Sequence, residues 1–225
     1  MIGLLLLGSL AVAQNAAAVD KMLDEGKFNE AFAAAQKLSG AEALILAAKS
    51  ASYFASYEAK DADKPGWYGR AEEAAKKAIA ADNNNAEAYF ELARAQGRLA
   101  QYRGVLESLG LATSIKENLD KTLKFNPKHA GARVALALWH HSLASKGVGW
   151  LYGANGGASA GLFEDAIRLE PTTIIHKVEY AGVLAQQNRK ADALKQLEAA
   201  LALAPKTAVD RFDLERAKKE LAALK

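Results

Sequence analysis

Histidine is the side chain most often used near neutral pH for proton transfer and metal ligation. It occurs four times in the 225 residues, as His129, His140, His141 and His176. His140 and His141 are adjacent, and on a helix neighbours point about 100° apart. No carboxylate lies three or four positions after either, so the pair is poorly placed to chelate a metal. His129 and His176 each stand at the start of a helical segment without a partner in sequence. There is no cysteine, which removes disulfides, thiolate metal sites, cysteine nucleophiles and a lipoprotein anchor together. Five glycines (Gly147, Gly149, Gly153, Gly156 and Gly157) crowd one stretch. No Gly-Lys-Ser/Thr follows and no strand precedes, so it is not a phosphate-binding loop. No serine or carboxylate sits in a nucleophile motif. The chain is therefore not expected to be an enzyme, and no cofactor or metal is expected.

The same glycine stretch holds Trp150 and Tyr152, residue types favoured in recognition. Glycine lets a backbone turn tightly or approach a ligand closely. Together with Trp139 upstream, Trp150 and Tyr152 are candidate ligand contacts. The simpler alternative is that the aromatics tuck into the body of the protein while the glycines shape the detour. Charge narrows the partners. Basic residues number 29 and acidic 26, a net charge of +3, with no Lys/Arg run longer than two. Nucleic acid usually demands a concentrated basic face, so it is not an expected partner.

These residues are positioned by a recurring phrase. It ends at Asp82-Asn83, Asn126-Pro127, Glu170-Pro171 and Ala204-Pro205. Each copy closes one helix and opens the next, because proline cannot continue a helix but is tolerated where one begins. The chain is 51% hydrophobic, much of it alanine, which favours helix throughout. Before each phrase runs a small–large–small register: Ala71-Ala75-Ala78, Ile115-Leu119-Thr122, Ser159-Phe163-Ala166 and Ala193-Leu197-Ala200. Spacings of four and three put each trio on one helix face, close to a preceding helix. That preceding helix carries Tyr89-Leu92-Ala93, then Leu136-Ala137 with Arg133 in the aromatic place, then Tyr180-Ala181-Leu184. Gly26 to Ala31 reads as the turn of a first unit.

This pattern resembles the tetratricopeptide repeat over essentially the whole chain from residue 14 to 225. It implies an all-α, α–α superhelical solenoid of about four and a half units forming a single domain. The intervals are uneven: 44 residues from 83 to 127, 44 from 127 to 171, and 34, the usual period, from 171 to 205. The extra residues are placed at Lys60–Tyr68, Arg103–Ala112 and Lys146–Ala158. They either project as inserts or lengthen the helices. Thr207 to Leu224 opens on a plausible N-cap. It carries an apolar stripe of Phe212, Leu214, Ala217 and Leu221 opposite charges that include Asp213, which reads as a C-terminal capping helix.

The resemblance implies a partner-binding groove along the first helix of each unit. The residues there are Glu87, Phe90, Arg94, Arg98, Val134, Leu138, His141, Val178 and Gln186. Phe90, Val134 and Val178 stand where chaperone-binding relatives carry the lysine that clamps a carboxylate. An apolar peptide or amphipathic helix therefore fits better. From Arg133 to Leu221 the order Trp139-His140, the Gly/aromatic stretch, Phe163-Glu164-Asp165-Ala166 and Glu170-Pro171 is similar to the regulator-of-microtubule-dynamics group and its bacterial relatives.

Residues Met1 to Ala13 form an apolar run ending in Ala-Val-Ala, the pattern of a signal peptide cleaved before Gln14. No lysine or arginine precedes Lys21, so the usual basic start is missing. The run is too short to span a membrane. The expectation is an exported periplasmic or secreted protein, not membrane-spanning after cleavage, acting as a protein- or peptide-binding scaffold in the envelope. The alternative is a small-ligand-binding or transporter-associated (TRAP-type) periplasmic subunit whose pocket is roofed by the inserts. Homo-oligomers are open to such a stack through its edges.

Overall fold

A computed structural model describes residues 15–225, and among them there are helices and turns but no strand. The proposed signal segment therefore lies outside the described residues. The helices are α1 (15–25), α2 (Phe28–Ala35), α3 (Ala41–Tyr57), α4 (Lys64–Ala81), α5 (Ala86–Leu99) and α6 (Val105–Phe125). After these come α7 (Ala130–Ser145), α8 (Gly149–Tyr152), α9 (Ala158–Leu169), α10 (Ile174–Gln186), α11 (Lys190–Leu201) and α12 (Ala208–Leu224). They stack as five pairs, α1/α2, α3/α4, α5/α6, α7/α9 and α10/α11, followed by α12. The count is five rather than four and a half because 15–25 supplies a complete first helix.

The small–large–small register accounts for the seam. Ala71, Ala75, Ala78, Leu119, Thr122, Ser159, Phe163, Ala166, Ala193, Leu197 and Ala200 have no exposed surface, and Ile115 has 9%. Small residues let the two helices of a pair approach while one larger side chain fills the gap. Full burial of such a Leu or Phe is worth about 1.5–3 kcal/mol. The two polar members are satisfied locally. Thr122 Oγ1 donates to the Asn118 carbonyl at 2.9 Å, and Ser159 Oγ donates across the pair to the Ala137 carbonyl at 2.9 Å. Phe163 stacks on Tyr180 of the next pair at 4.8 Å, carrying the seam forward.

Helix starts follow from their caps. The Asn85 side chain accepts from the backbone N–H groups of Glu87 and Ala88. Thr207 and Asp210 form a reciprocal capping box at the start of α12. His129 Nδ1 accepts from the Ala132 N–H at 3.1 Å, capping α7. With Nδ1 an acceptor, Nε2 carries the proton and donates to Glu87 on α5 at 3.1 Å. One histidine thus starts a helix and ties two pairs together.

Two of the three length additions are helix, not projection. α4 begins at Lys64 and runs 18 residues, and α6 begins at Val105 and runs 21. Lys146–Ala158 alone forms a separate element, the four-residue α8. Gly147 and Gly153 flank it at φ 73° and 69°, the left-handed region that glycine enters without strain. His140 Nδ1 accepts from the Asn155 N–H at 3.0 Å and holds the end of this detour.

α12 does more than cover the last pair. Ala217 is fully buried in the core of α7, α9, α10 and α11. The N-terminal half of the helix reaches the start of the chain. Phe212 stacks on Tyr57 at 5.1 Å and lies 6.2 Å from Phe28. Tyr57 donates to Asp213 Oδ1 at 3.1 Å. A Cβ on Gly26, whose φ is 85°, would sit 2.8 Å from the Ala208 Cβ. Only glycine allows the first turn to meet α12 so closely. The first and last pairs are therefore bridged.

Candidate functional site

The bridged stack holds a half-open cavity of about 710 Å³ on its concave side, lined by residues of α3, α5, α6, α7, α10 and α12. Its apolar wall includes Tyr53, Tyr57, Phe90, Leu138 and Trp139. Its polar wall includes Lys49, Glu87, Arg94, Arg98, His129 and Glu179. Trp139 is fixed by donating from Nε1 to the Ala112 carbonyl at 2.8 Å. Phe90 packs on the His129 ring at 4.4 Å, and the Arg94 guanidinium lies over Tyr53 and Phe90 at 4.9 and 5.6 Å. Such contacts hold a cation without taking it from an incoming group.

The charges form two clusters. In the first, Arg94 pairs with Glu91, which has no exposed surface. Burial pushes the Glu91 carboxyl up to about 7, against the pull of Arg94. Glu91 Oε1 and Arg94 Nε have no partner. For Glu87, burial acts upward, but the His129 hydrogen bond and nearby cations outweigh it and hold the carboxyl below its ordinary value. In the second cluster, Glu179 Oε1 accepts from Arg98 at 3.2 Å and from Arg216 at 2.9 Å, joining α5, α10 and α12. Burial acts upward there too, and the two guanidinium groups more than offset it. His176 Nδ1 and Ser52 Oγ are buried cavity-wall atoms with no hydrogen-bond partner. Burial lowers His176 and favours its neutral form. No group of three or more metal-ligating side chains exists among the described residues. Among them no helix is long and apolar enough to cross a membrane.

Of the sequence-derived groove residues, Glu87, Phe90, Arg94, Arg98, Val134 and Leu138 line the cavity. Val178 does not: it is fully buried in the seam, because α10 is packed on several sides. His141 and Gln186 are also outside the lining, where His141 Nε2 donates to Gln186 Oε1 at 2.8 Å. The candidate trio separates. Trp139 lines the cavity, whereas Trp150 and Tyr152 do not. Tyr152 packs with Val148 against the α6–α7 cluster. Trp150 is 82% exposed and Leu151 59%, so the expectation that this tip tucks inward fails for both. A four-residue helix has one inner face, and Gly149 and Tyr152 occupy it. The Gly149 Cβ position is only 3.3 Å from the Ala144 Cα. Of the added stretches, Ser108, Leu109, Ala112 and Lys146 line the cavity, while the tip at Trp150 does not. Tyr53, Tyr57, Lys49, Glu179 and His176 were missed, since their role depends on which helix faces the concave side. Arg133 replaces the usual aromatic, and its Nη1 is buried without a partner.

The family model for regulator of microtubule dynamics protein 1-3 matches residues 15–152, more than half of the sequence. The chain belongs to this family. The match spans the first three pairs and ends within α8, so it shares only Arg133–Tyr152 with the stretch on which the sequence resemblance rested. Because all pairs share one register, family likeness can be read from either half. No curated protein matches this family member. Its fold is similar to the crystal structure of TTC0263, a thermophilic TPR protein in Thermus thermophilus. That likeness has a TM-score of 0.70 at 19% identity, covering 92% of this chain and 99% of that one. It is also similar to pilF of Pseudomonas aeruginosa, with a TM-score of 0.51 at 16% identity, covering 96% and 89%. Both likenesses concern the fold: the regulator family member is a tetratricopeptide-like solenoid.

Proposed function

We propose that this protein is a non-catalytic binding module that takes a peptide segment of a partner protein into its concave cavity. The observation that carries the reading is the cavity wall itself. Aromatic side chains stand beside charged groups already held by neighbours, and Ser52 Oγ, Arg94 Nε and His176 Nδ1 are left without partners. An apolar side chain of a peptide fits the aromatic wall, and its backbone or polar groups fit the accessible wall cations Lys49 and Arg98. The apolar run Met1–Ala13 favours action in the envelope, periplasmic or secreted, over the microtubule role in the family's description. N-terminal sequencing of the mature protein should begin at Gln14, and an intact Met1 in exported material would overturn that assignment.

Gly97 supplies the test for the cavity. It lines the wall, and a Cβ there would meet nothing within 4 Å. Gly97→Trp should fill the space without disturbing the fold. A peptide selected from a display library on the unmodified protein should lose binding to Gly97→Trp and keep it with Trp150→Ala. Retention by Gly97→Trp would sink the proposal.

A second reading has its own support. The volume falls in the range of small-molecule pockets, about 300–1,000 Å³, and α12 bridges the stack beside it. A small-ligand-binding or transporter-associated subunit then requires that a metabolite, not a peptide, raises Tm, with the gain abolished by Gly97→Trp.

A further inference from the structure

α12 makes two kinds of contact. Its C-terminal half is held by apolar packing and by charge: Ala217 lies in the core, and Arg216 spans from Glu179 on α10 to Glu220 at 2.7 Å. Its N-terminal half crosses to α2 and α3 through a smaller set. Phe212 packs on Tyr57 and Phe28, Asp213 meets Tyr57, and Ala208 meets Gly26. Val209, from the same half, lines the cavity. Phe212 keeps 39% of its surface exposed although it stacks on two rings, so this half enters the core of the first helices only through Ala208, with Val209 packed beside it. The connection from α11 is six residues long, 202–207, and contains Pro205. We propose that the N-terminal half of α12 is a strap across the mouth of the cavity, which detaches from α2 and α3 to admit a ligand while the other half stays anchored on α10 and α11.

The strap contact contains a buried carboxylic acid. Asp213 is 2% exposed, and its Oδ2 has no partner. The titratable and charged groups around it are Tyr57 and Tyr53 from α3, Arg98 from α5, Glu179 from α10, and Asp210 and Arg216 from α12. The facing contacts from α2 and its preceding turn, Phe28 and Gly26, carry no charge. Burial pushes Asp213 up to about 7 from an ordinary value of 3.8. The closed strap therefore binds a proton that the released strap gives up. Closure is strongest in acid, weakens as the pH rises from about 4 to about 7, and is flat above that. Glu179 acts oppositely, since its depressed carboxyl loses the Arg98 and Arg216 pairs only on acidification below its ordinary 4.5. The window in which Asp213 governs is thus above about pH 5.

The absence of cysteine makes the test direct, because introduced thiols are unique. Spin labels at Glu30→Cys on α2 and Arg211→Cys on α12, both exposed, report the distance across the contact. At pH 5.5 one short distance is expected. At pH 8 a second, longer distance should appear. Phe212→Ala should show the longer distance at both values, and Asp213→Asn, which keeps the shape without the charge, the shorter one at both. A second readout is the labelling rate of Ser52→Cys in the cavity wall, taken relative to the exposed position Arg168→Cys to remove the effect of pH on thiol reactivity. Phe212→Ala should raise that ratio about tenfold. Were Phe212→Ala to misfold, the unmodified strap and Asp213→Asn still decide the matter by their pH response. A single short distance at pH 8 with an unchanged labelling ratio overturns the proposal, as does a pH response that survives in Asp213→Asn.

Discussion

Each pair of helices in this protein has two faces that obey different rules. The seam within a pair is a repeated apolar device. Ala71-Ala75-Ala78 and Ala193-Leu197-Ala200 sit 122 residues apart (71 to 193) and are buried identically. The concave face is not repeated at all. α5 offers Glu87, Phe90, Arg94 and Arg98, α7 offers Val134 and Leu138, and α10 offers His176 and Glu179. Packing two helices at close range admits few side-chain sizes, so the seam is constrained. A cavity wall is free to vary, and it carries the charges and unpartnered atoms that a binding function uses.

The largest difference should appear on deleting the seam's bulk. Phe163→Ala removes a fully buried ring stacked on Tyr180 and should cost about 3–5 kcal/mol in denaturant unfolding. If it costs under about 1 kcal/mol, the seam is not what holds the stack. On the other face, Glu91→Ala leaves Arg94 buried against Tyr53 and Phe90 without its carboxylate. Removing one partner of a buried pair typically costs about 3 kcal/mol or more. Glu91→Gln separates charge from shape. Because Glu91 is raised to about 7, the unmodified protein should lose stability as the pH climbs from about 4.5 to 7, and Glu91→Gln should reduce that slope to the part that Asp213 supplies. A slope unchanged in Glu91→Gln would assign the titration elsewhere.

The seam was legible in sequence because it repeats: four trios at spacings of four and three specify the helix pairing before any coordinate. The added length in α4 and α6 was legible only as length. Nothing in Arg103–Ala112 distinguishes two more helical turns from a loop, since propensity there is ordinary and packing decides. Six of the nine groove residues fall on the cavity wall, as the shared register places them. Val178 lies off the wall because its side chain is wholly enclosed in the apolar core that Ala217 of α12 joins, whereas Val134 in the same core keeps 7% of its surface. Asp213 was the least legible residue. Among Arg211, Glu215, Lys218 and Lys219 it reads as part of a solvated face. Its burial depends on Tyr57, 156 positions earlier, and a contact of that range leaves no local pattern.

A smaller effect sharpens the contrast at the strap. Tyr57→Phe keeps the ring that stacks on Phe212 and removes the one hydroxyl that donates to Asp213. The carboxyl then has no partner on either oxygen, a cost of about 1–2 kcal/mol. The loss should be greater at pH 8 than at pH 5.5, because the hydroxyl stabilises the charged carboxylate more than the neutral acid. Equal losses at both values would mean that Asp213 does not titrate in this range.

The smallest effect is expected where the sequence looked most suggestive. Trp150 in its setting of glycines reads as a ligand contact or else as a packed anchor, yet it is 82% exposed and lies outside the cavity wall. The anchoring is done by Gly149, whose Cβ position meets the Ala154 carbonyl at 2.8 Å, and by Tyr152. Trp150→Ala should therefore change stability by less than about 0.5 kcal/mol. Gly149→Ala, which adds a single carbon against backbone, should cost more than removal of the whole indole. The reverse order would mean that the tip folds back onto the stack in solution and shares the seam's packing constraint.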